Sequence, residues 1–200
     1  MNIESAPRTY RQGARAIAAK ATGERILAVF RKAILEQWFE EIRLDDIAKS
    51  AGVTVQTVIR RFGSKDGLLK AAAAQLGAEI RARRVSAVGN PTRAIQALAK
   101  DYEASGDLAM RMLAQEVRHA PIKKMTDIGR EGHREWIAAT FHPQLADMTA
   151  SQRRKAIDQL VAASDVYVWK LFRRDMARSC AEYRSAVLHL VMAILPSDQN

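Results

Sequence analysis

The chain has 200 residues, 48% of them hydrophobic, with 32 Lys and Arg against 22 Asp and Glu and a formal net charge of +10. That is enough apolar material for one packed domain or two small ones. A single cysteine, Cys180, excludes an intrachain disulfide and a cysteine-rich zinc site. The amino terminus lacks the apolar stretch of a signal peptide, and the run from Ala186 to Leu195, broken by His189, is too short to cross a bilayer. The expectation is an all-helical, soluble, cytoplasmic protein with no membrane contact. Its charge is uneven: residues 1–90 carry 16 Lys and Arg against 9 Asp and Glu, and residues 91–200 carry 16 against 13. A basic surplus in one half points to a phosphate-rich partner.

Residues 1–21 contain Arg8, Arg11, Arg15 and Lys20 with only Glu4 opposing them, and read as a flexible basic arm suited to a phosphate backbone or a minor groove. Thr22 is expected to cap a helix with Glu24 in its first turn and Ile26, Leu27, Phe30, Ala33, Ile34 and Trp38 along its apolar face. The stretch from Leu44 to Phe62 then reads as two short helices joined by a tight turn. Leu44, Ile47, Ala48 and Ala51 make one face of the first; Gly52 ends it and Val53 tucks under the corner. Thr54 caps the second, which buries Val58 and Phe62 and leaves Val55, Gln56, Thr57, Ile59, Arg60 and Arg61 away from the core. A short helix anchored on two apolar residues and exposing amide, hydroxyl and guanidinium groups is the pattern of a helix-turn-helix recognition helix. Ser64 starts a connecting helix with Lys65 at its beginning and Leu68, Leu69, Ala72, Leu76 and Ile80 inward. The pattern loosens at Ser86 to Asn90, so residues 22–87 are expected to form the DNA-binding domain and 88–200 a second helical domain.

Thr22 to Ile80, a little under a third of the chain, resembles the DNA-binding domain of the TetR family of bacterial transcriptional regulators. The residues that carry the resemblance are Ile47-Ala48, Ala51-Gly52-Val53-Thr54, Thr57-Val58, Phe62, and Ser64-Lys65 with Leu68-Leu69. Four positions depart from the family's usual pattern: Ile59 for a tyrosine, Arg61 for a histidine, Arg43 for a capping Ser or Thr, and Trp38 for a glycine. The resemblance implies a three-helix head followed by a helical ligand-binding and dimerisation domain, whose last two helices pair with those of a second copy.

The contacts expected on DNA are Gln56 on adenine, Arg60 on guanine or phosphate, Val55 on a thymine methyl, and Thr54, Thr57, Arg61 and Lys65 on phosphates. In the second half, Asn90-Pro91 should open a helix ending near Ser105-Gly106, followed by one from Asp107 to Arg118 and one from Pro121 to Phe141. A helix from Ser151 through Phe172 and a last one from the capping box Ser179 to Glu182 complete five. An effector pocket between them would draw on Tyr102, Met112, His133, Trp136, Tyr167 and Trp169. The four histidines form no ligand-spaced pair and no phosphate loop or nucleophile elbow occurs, so neither metal, cofactor nor enzyme activity is expected. The expected function is a homodimeric repressor on a near-palindromic operator, released by an unknown small molecule. Its rival shares the head but has a filled second domain and is regulated by abundance or a protein partner.

Overall fold

The computed structural model describes residues 8–85 and 88–196. It is all-helical: among the described residues there is no strand, and no helix is long and apolar enough to cross a membrane. The described residues form nine α-helices: α1 (Arg8–Glu36), α2 (Leu44–Ser50), α3 (Val55–Phe62), α4 (Lys65–Arg83), α5 (Pro91–Leu113), α6 (Ala120–Thr140), α7 (Ala150–Ala163), α8 (Val166–Lys170) and α9 (Cys180–Ile194). They divide into two compact units, residues 1–72 and 73–200, and α4 runs from one into the other.

In the first unit α1 packs on α2 and α2 on α3, around Ile26, Phe30, Ile34, Phe39, Ile42, Ile47, Val58, Leu68 and Leu69, all nearly or wholly buried. Of the expected basic arm, residues 1–7 lie outside the described residues. The helix begins at Arg8, not at Thr22. Thr22 therefore sits inside α1, where its hydroxyl donates to the Ala18 carbonyl at 2.9 Å instead of capping. Trp38, expected on the apolar face of that helix, falls just beyond its end and precedes a single 3-10 turn, Phe39–Glu41.

The second unit is a bundle in which α5 contacts α6, α8 and α9, while α7 contacts α6 and α9. Its core comprises Ile95, Leu98, Ile137, Phe141, Leu160, Trp169, Tyr183, Val187 and Val191. Asn90 caps α5, its side chain accepting from the Arg93 amide, with Pro91 in the first turn. The capping box from Ser179 to Glu182 forms as its sequence predicts. Two breaks differ from expectation. Ser105 and Gly106 do not end a helix: α5 continues to Leu113, and residues 114–118 are turns. Gly106 is there because the Trp169 ring lies on the helix backbone, where a Cβ would fall inside its contact radius. Conversely, the helix expected from Ser151 to Phe172 is capped by Thr149 and stops at Ala163, and Asp165 caps the short α8. The Ser164 hydroxyl donates back to the Leu160 carbonyl at 2.6 Å, competing with the helix ladder at the break.

Gly106→Ala should therefore lower stability by ~1–3 kcal/mol through overpacking. Gly132→Ala on α6, where nothing lies within 4 Å of the new methyl group, should raise it by roughly 0.5–1 kcal/mol. Thermal unfolding of the two variants beside the parent checks both signs.

Candidate functional site

The turn between α2 and α3 closes by backbone bonding. Ala51 caps the end of α2, Gly52 takes φ +64°, and the Gly52 and Val53 amides donate to the Lys49 and Ala48 carbonyls at 3.1 and 3.0 Å. This is a Schellman closure, and it turns the chain sharply enough that only four residues separate α2 from α3. Thr54 then caps α3: its hydroxyl accepts from the Thr57 amide at 3.2 Å and lies 2.9 Å from the Thr57 hydroxyl. Val58 is buried and Phe62 half-buried, while Gln56, Arg60 and Arg61 are exposed beside half-buried Val55 and Thr57. Six of the seven expected contact residues, Thr54 to Thr57 with Arg60 and Arg61, are thus at least partly accessible at the start or along the length of a two-turn helix. Ile59, 40% exposed, adds an apolar patch to the same surface.

Two cations that hold this head were not both anticipated. The Arg25 Nε on α1 donates to the Ala51 carbonyl at 2.7 Å, satisfying the C-terminus of α2 from outside. Lys65 was read as a phosphate clamp. Its ammonium instead donates to the Phe39, Glu40 and Ile42 carbonyls at 2.7, 3.2 and 3.1 Å and sits 4.6 Å from the Phe39 ring centroid. An ammonium has three donors, and all three are engaged within the unit.

In the second unit the candidate pocket residues meet a polar cluster at the centre of the bundle. Asp101, fully buried on α5, accepts from the Arg83 Nε at 2.8 Å and the Arg84 Nε at 2.7 Å. Arg84 lies 5.2 Å from the Tyr102 ring centroid and 5.1 Å from that of Trp136, whose indole N–H donates to the Arg84 carbonyl. Its Nη1 is 3.1 Å from the His133 Nδ1, and the His133 Nε2 is 3.1 Å from the Ser164 hydroxyl. A guanidinium can only donate, so Nδ1 accepts and the proton resides on Nε2. Burial first, and the Arg84 charge second, push the His133 pKa down to about 3. The Tyr102 hydroxyl donates to the Ser164 carbonyl at 3.1 Å, and burial raises its pKa far above that of an ordinary phenol.

Four of the six expected pocket residues, Tyr102, His133, Trp136 and Trp169, are therefore grouped, with Tyr102 and Trp169 ring centroids 6.2 Å apart. Tyr167 is not among them: it is 52% exposed. Met112 lies near the end of α5, half-buried. Sequence reasoning passed over Arg84, Asp101 and Ser164, because residues 17 and 63 positions apart show no local spacing to connect them. An open cleft of about 460 Å³ reaches His133 from the side of α6 and α7, lined also by Arg130, Arg134, Val161 and Asp165. Nearby, Glu103 receives both the Trp169 indole N–H and a two-pronged contact from Arg173. Its pKa falls to about 2, mainly through the Arg173 hydrogen bonds.

A short helix exposing polar side chains behind a tight corner, followed by a wholly helical second unit, defines the class: a helix-turn-helix protein with an appended helical bundle. Residues 26–72 match the family model of bacterial regulatory proteins of the tetR family. No curated protein matches the chain. Among solved structures, a TetR-family transcriptional regulator from Streptomyces coelicolor aligns over 88% of this chain and 80% of its own, at 15% identity and a TM-score of 0.70. A transcriptional regulator from Rhodococcus sp. Rha1 aligns over 86% and 95%, at 19% identity and a TM-score of 0.67. Another Rhodococcus protein, described as a TetR-family regulator, aligns over 88% and 98%, at 18% identity and 0.69. The head of this chain is thus similar to bacterial regulatory proteins of the tetR family, and the chain has the fold of TetR-family transcriptional regulators.

His133 makes a pH prediction with a definite sign. The unfolded chain takes up the imidazole proton below the ordinary value of 6.5, whereas the folded protein resists protonation until about pH 3. Stability from this group is thus complete above pH 6.5 and declines as pH falls towards 3. In the window between pH 6.5 and 4.5 Glu103 contributes little, since it starts from 4.5 and is shifted down to about 2. Urea unfolding across that window should show falling stability in the parent chain, and a flatter profile in His133→Gln.

Proposed function

We propose that the protein is a homodimeric transcriptional repressor that reads a near-palindromic operator with α3 and leaves it when a small molecule binds the second unit. The observation that carries the reading is the strip of exposed Gln56, Arg60 and Arg61 beside half-buried Thr57 on a helix whose start and preceding corner are fixed by Thr54 and Gly52. Amide and guanidinium groups held at helical spacing suit base edges in a major groove, and Thr54, Thr57 and Arg61 suit the flanking phosphates. Val55 at the start of the helix suits a thymine methyl. Lys65 contributes by tying the turn before α2 to the start of α4, and the amide at the start of α4 is its remaining means of meeting a phosphate.

A single recognition helix spans too few base pairs for selectivity in a genome, which favours a dimer. Exposed Leu190 and Met192 on α9, with Tyr167, Leu171 and Met176 before it, supply apolar surface for a second copy. Release by a ligand is supported by the cleft at His133. A molecule entering there would compete for His133, which engages Arg84 just after α4. Because α4 runs into the first unit, loosening its anchor favours a conformer that matches both half-sites less well. The rival without a small-molecule effector is favoured by one observation: Arg84, Asp101, His133, Ser164 and Tyr102 already satisfy one another. Thermal-shift measurements with a panel of amphipathic compounds separate the two, since a ligand of the folded state raises Tm.

Fluorescence anisotropy tests the DNA reading, using the fragment upstream of the protein's own gene against an unrelated duplex across a salt series. One preferred fragment, retained as salt rises, is the expected result; equal binding lost in parallel would sink the proposal. On the preferred fragment Gln56→Ala and Arg60→Ala should each cost ~1–3 kcal/mol, with little effect of Gln56→Ala on the unrelated duplex.

A further inference from the structure

Gly23 lies inside α1, in the alanine-rich run that precedes the apolar face of that helix, where alanine would be the better helix former. Its conformation does not call for glycine: the positive-φ glycines are Gly52, Gly63 and Gly89. What calls for it is a neighbour. A Cβ on Gly23 would stand 2.5 Å from both Nε and Nη2 of Arg61 and 2.7 Å from its Cζ. The guanidinium therefore rests against the α1 backbone in the space that a side chain would fill. It also lies 6.0 Å from the Phe62 ring centroid, and Arg61 as a residue is exposed. One side of the group is thus supported by protein and the other is open to a partner.

An arginine free to sample its rotamers loses that freedom when it grips a phosphate, and one already seated loses less. We propose that Gly23 is a positioning residue for DNA binding, which by lacking a side chain gives the Arg61 guanidinium a seat that pre-orders it for one backbone phosphate beside the groove entered by α3. This rests on the reading of α3 as the DNA-contacting helix. Gly23 itself touches no DNA. Its contribution passes wholly through Arg61, and that makes it separable by mutation.

The experiment uses the full-length chain as parent, Gly23→Ala, Arg61→Ala and the double variant, on the upstream fragment that the parent prefers. Alanine at position 23 improves helix propensity and displaces only the flexible end of a side chain, so Gly23→Ala should keep its helix content with an equal or higher Tm. Its DNA affinity should nevertheless fall by about tenfold, as expected for loss of one charge-assisted contact. The slope of log affinity against log salt should become shallower by about 0.9 for each phosphate released. Arg61→Ala should show the same loss and the same change of slope, and adding Gly23→Ala to it should change neither.

Gly23→Ala with parental affinity and slope would overturn the inference, as would an equal loss in the Arg61→Ala background. A Gly23→Ala chain that loses helix content would also contradict it, because a seat for one flexible group is not a folding determinant. Arg61→Ala binding like the parent would overturn it while leaving α3 as the reading helix. A parent chain with no DNA preference would remove the underlying reading and the inference together.

Discussion

Three carbonyl groups, those of Phe39, Glu40 and Ile42, converge on the one ammonium of Lys65, and the geometry of the head depends on that convergence. The helices it serves are only seven and eight residues long, well below the length at which an isolated helix holds in water. Their order comes from what surrounds them. The ammonium draws the 3-10 turn after α1 to the start of α4, and places Phe39 edge-on to Phe30 with ring centroids 6.4 Å apart. Arg25 anchors the end of α2 from the opposite direction. With the turn before α2 tied to the start of α4 and the end of α2 capped from α1, the short α2 and α3 are held by bonds from outside themselves.

The second unit uses charge differently. A buried carboxylate between two guanidiniums is a poor source of net stability, because desolvation offsets most of the attraction. Its value lies in what it joins: Asp101 belongs to α5, Arg83 and Arg84 follow from α4, His133 belongs to α6, and Ser164 is the break between α7 and α8. Asp101 holds both guanidiniums at once, so removing it would leave Arg83 and Arg84 without their shared carboxylate. Such a centre is suited to converting a small local disturbance into a change at the end of α4. It also explains why these residues form a connected interior and not an empty one.

The head was legible in the sequence because its signals are local. Gly52 and Thr54 act through backbone conformation and capping within four residues, and the apolar spacing from Leu44 to Phe62 repeats within one or two turns. Where a signal depended on a distant partner, legibility failed. Ser105-Gly106 reads as a helix end, yet Gly106 answers to Trp169, and the polar Ser105 is buried against Asp101. Lys65 at a helix start reads as an anion clamp, yet its acceptors are more than twenty residues earlier. Periodicity alone carried the helix from Ser151 past its true end at Ala163, since the apolar residues resume in α8 with nearly unbroken spacing. Thr22 reads as a cap because the alanine-rich segment before it offers no apolar face, although that segment is helix in its own right.

The most direct test of the account is selection of duplexes from a randomised DNA pool by the full-length protein at moderate salt. A pair of α3 helices from two copies should enrich an inverted repeat, with half-site centres separated by about one helical turn, roughly 10 base pairs, or a multiple of it. A pool that stays unenriched through successive rounds, while total binding falls with salt, would contradict it and reduce the head to a basic surface without sequence preference.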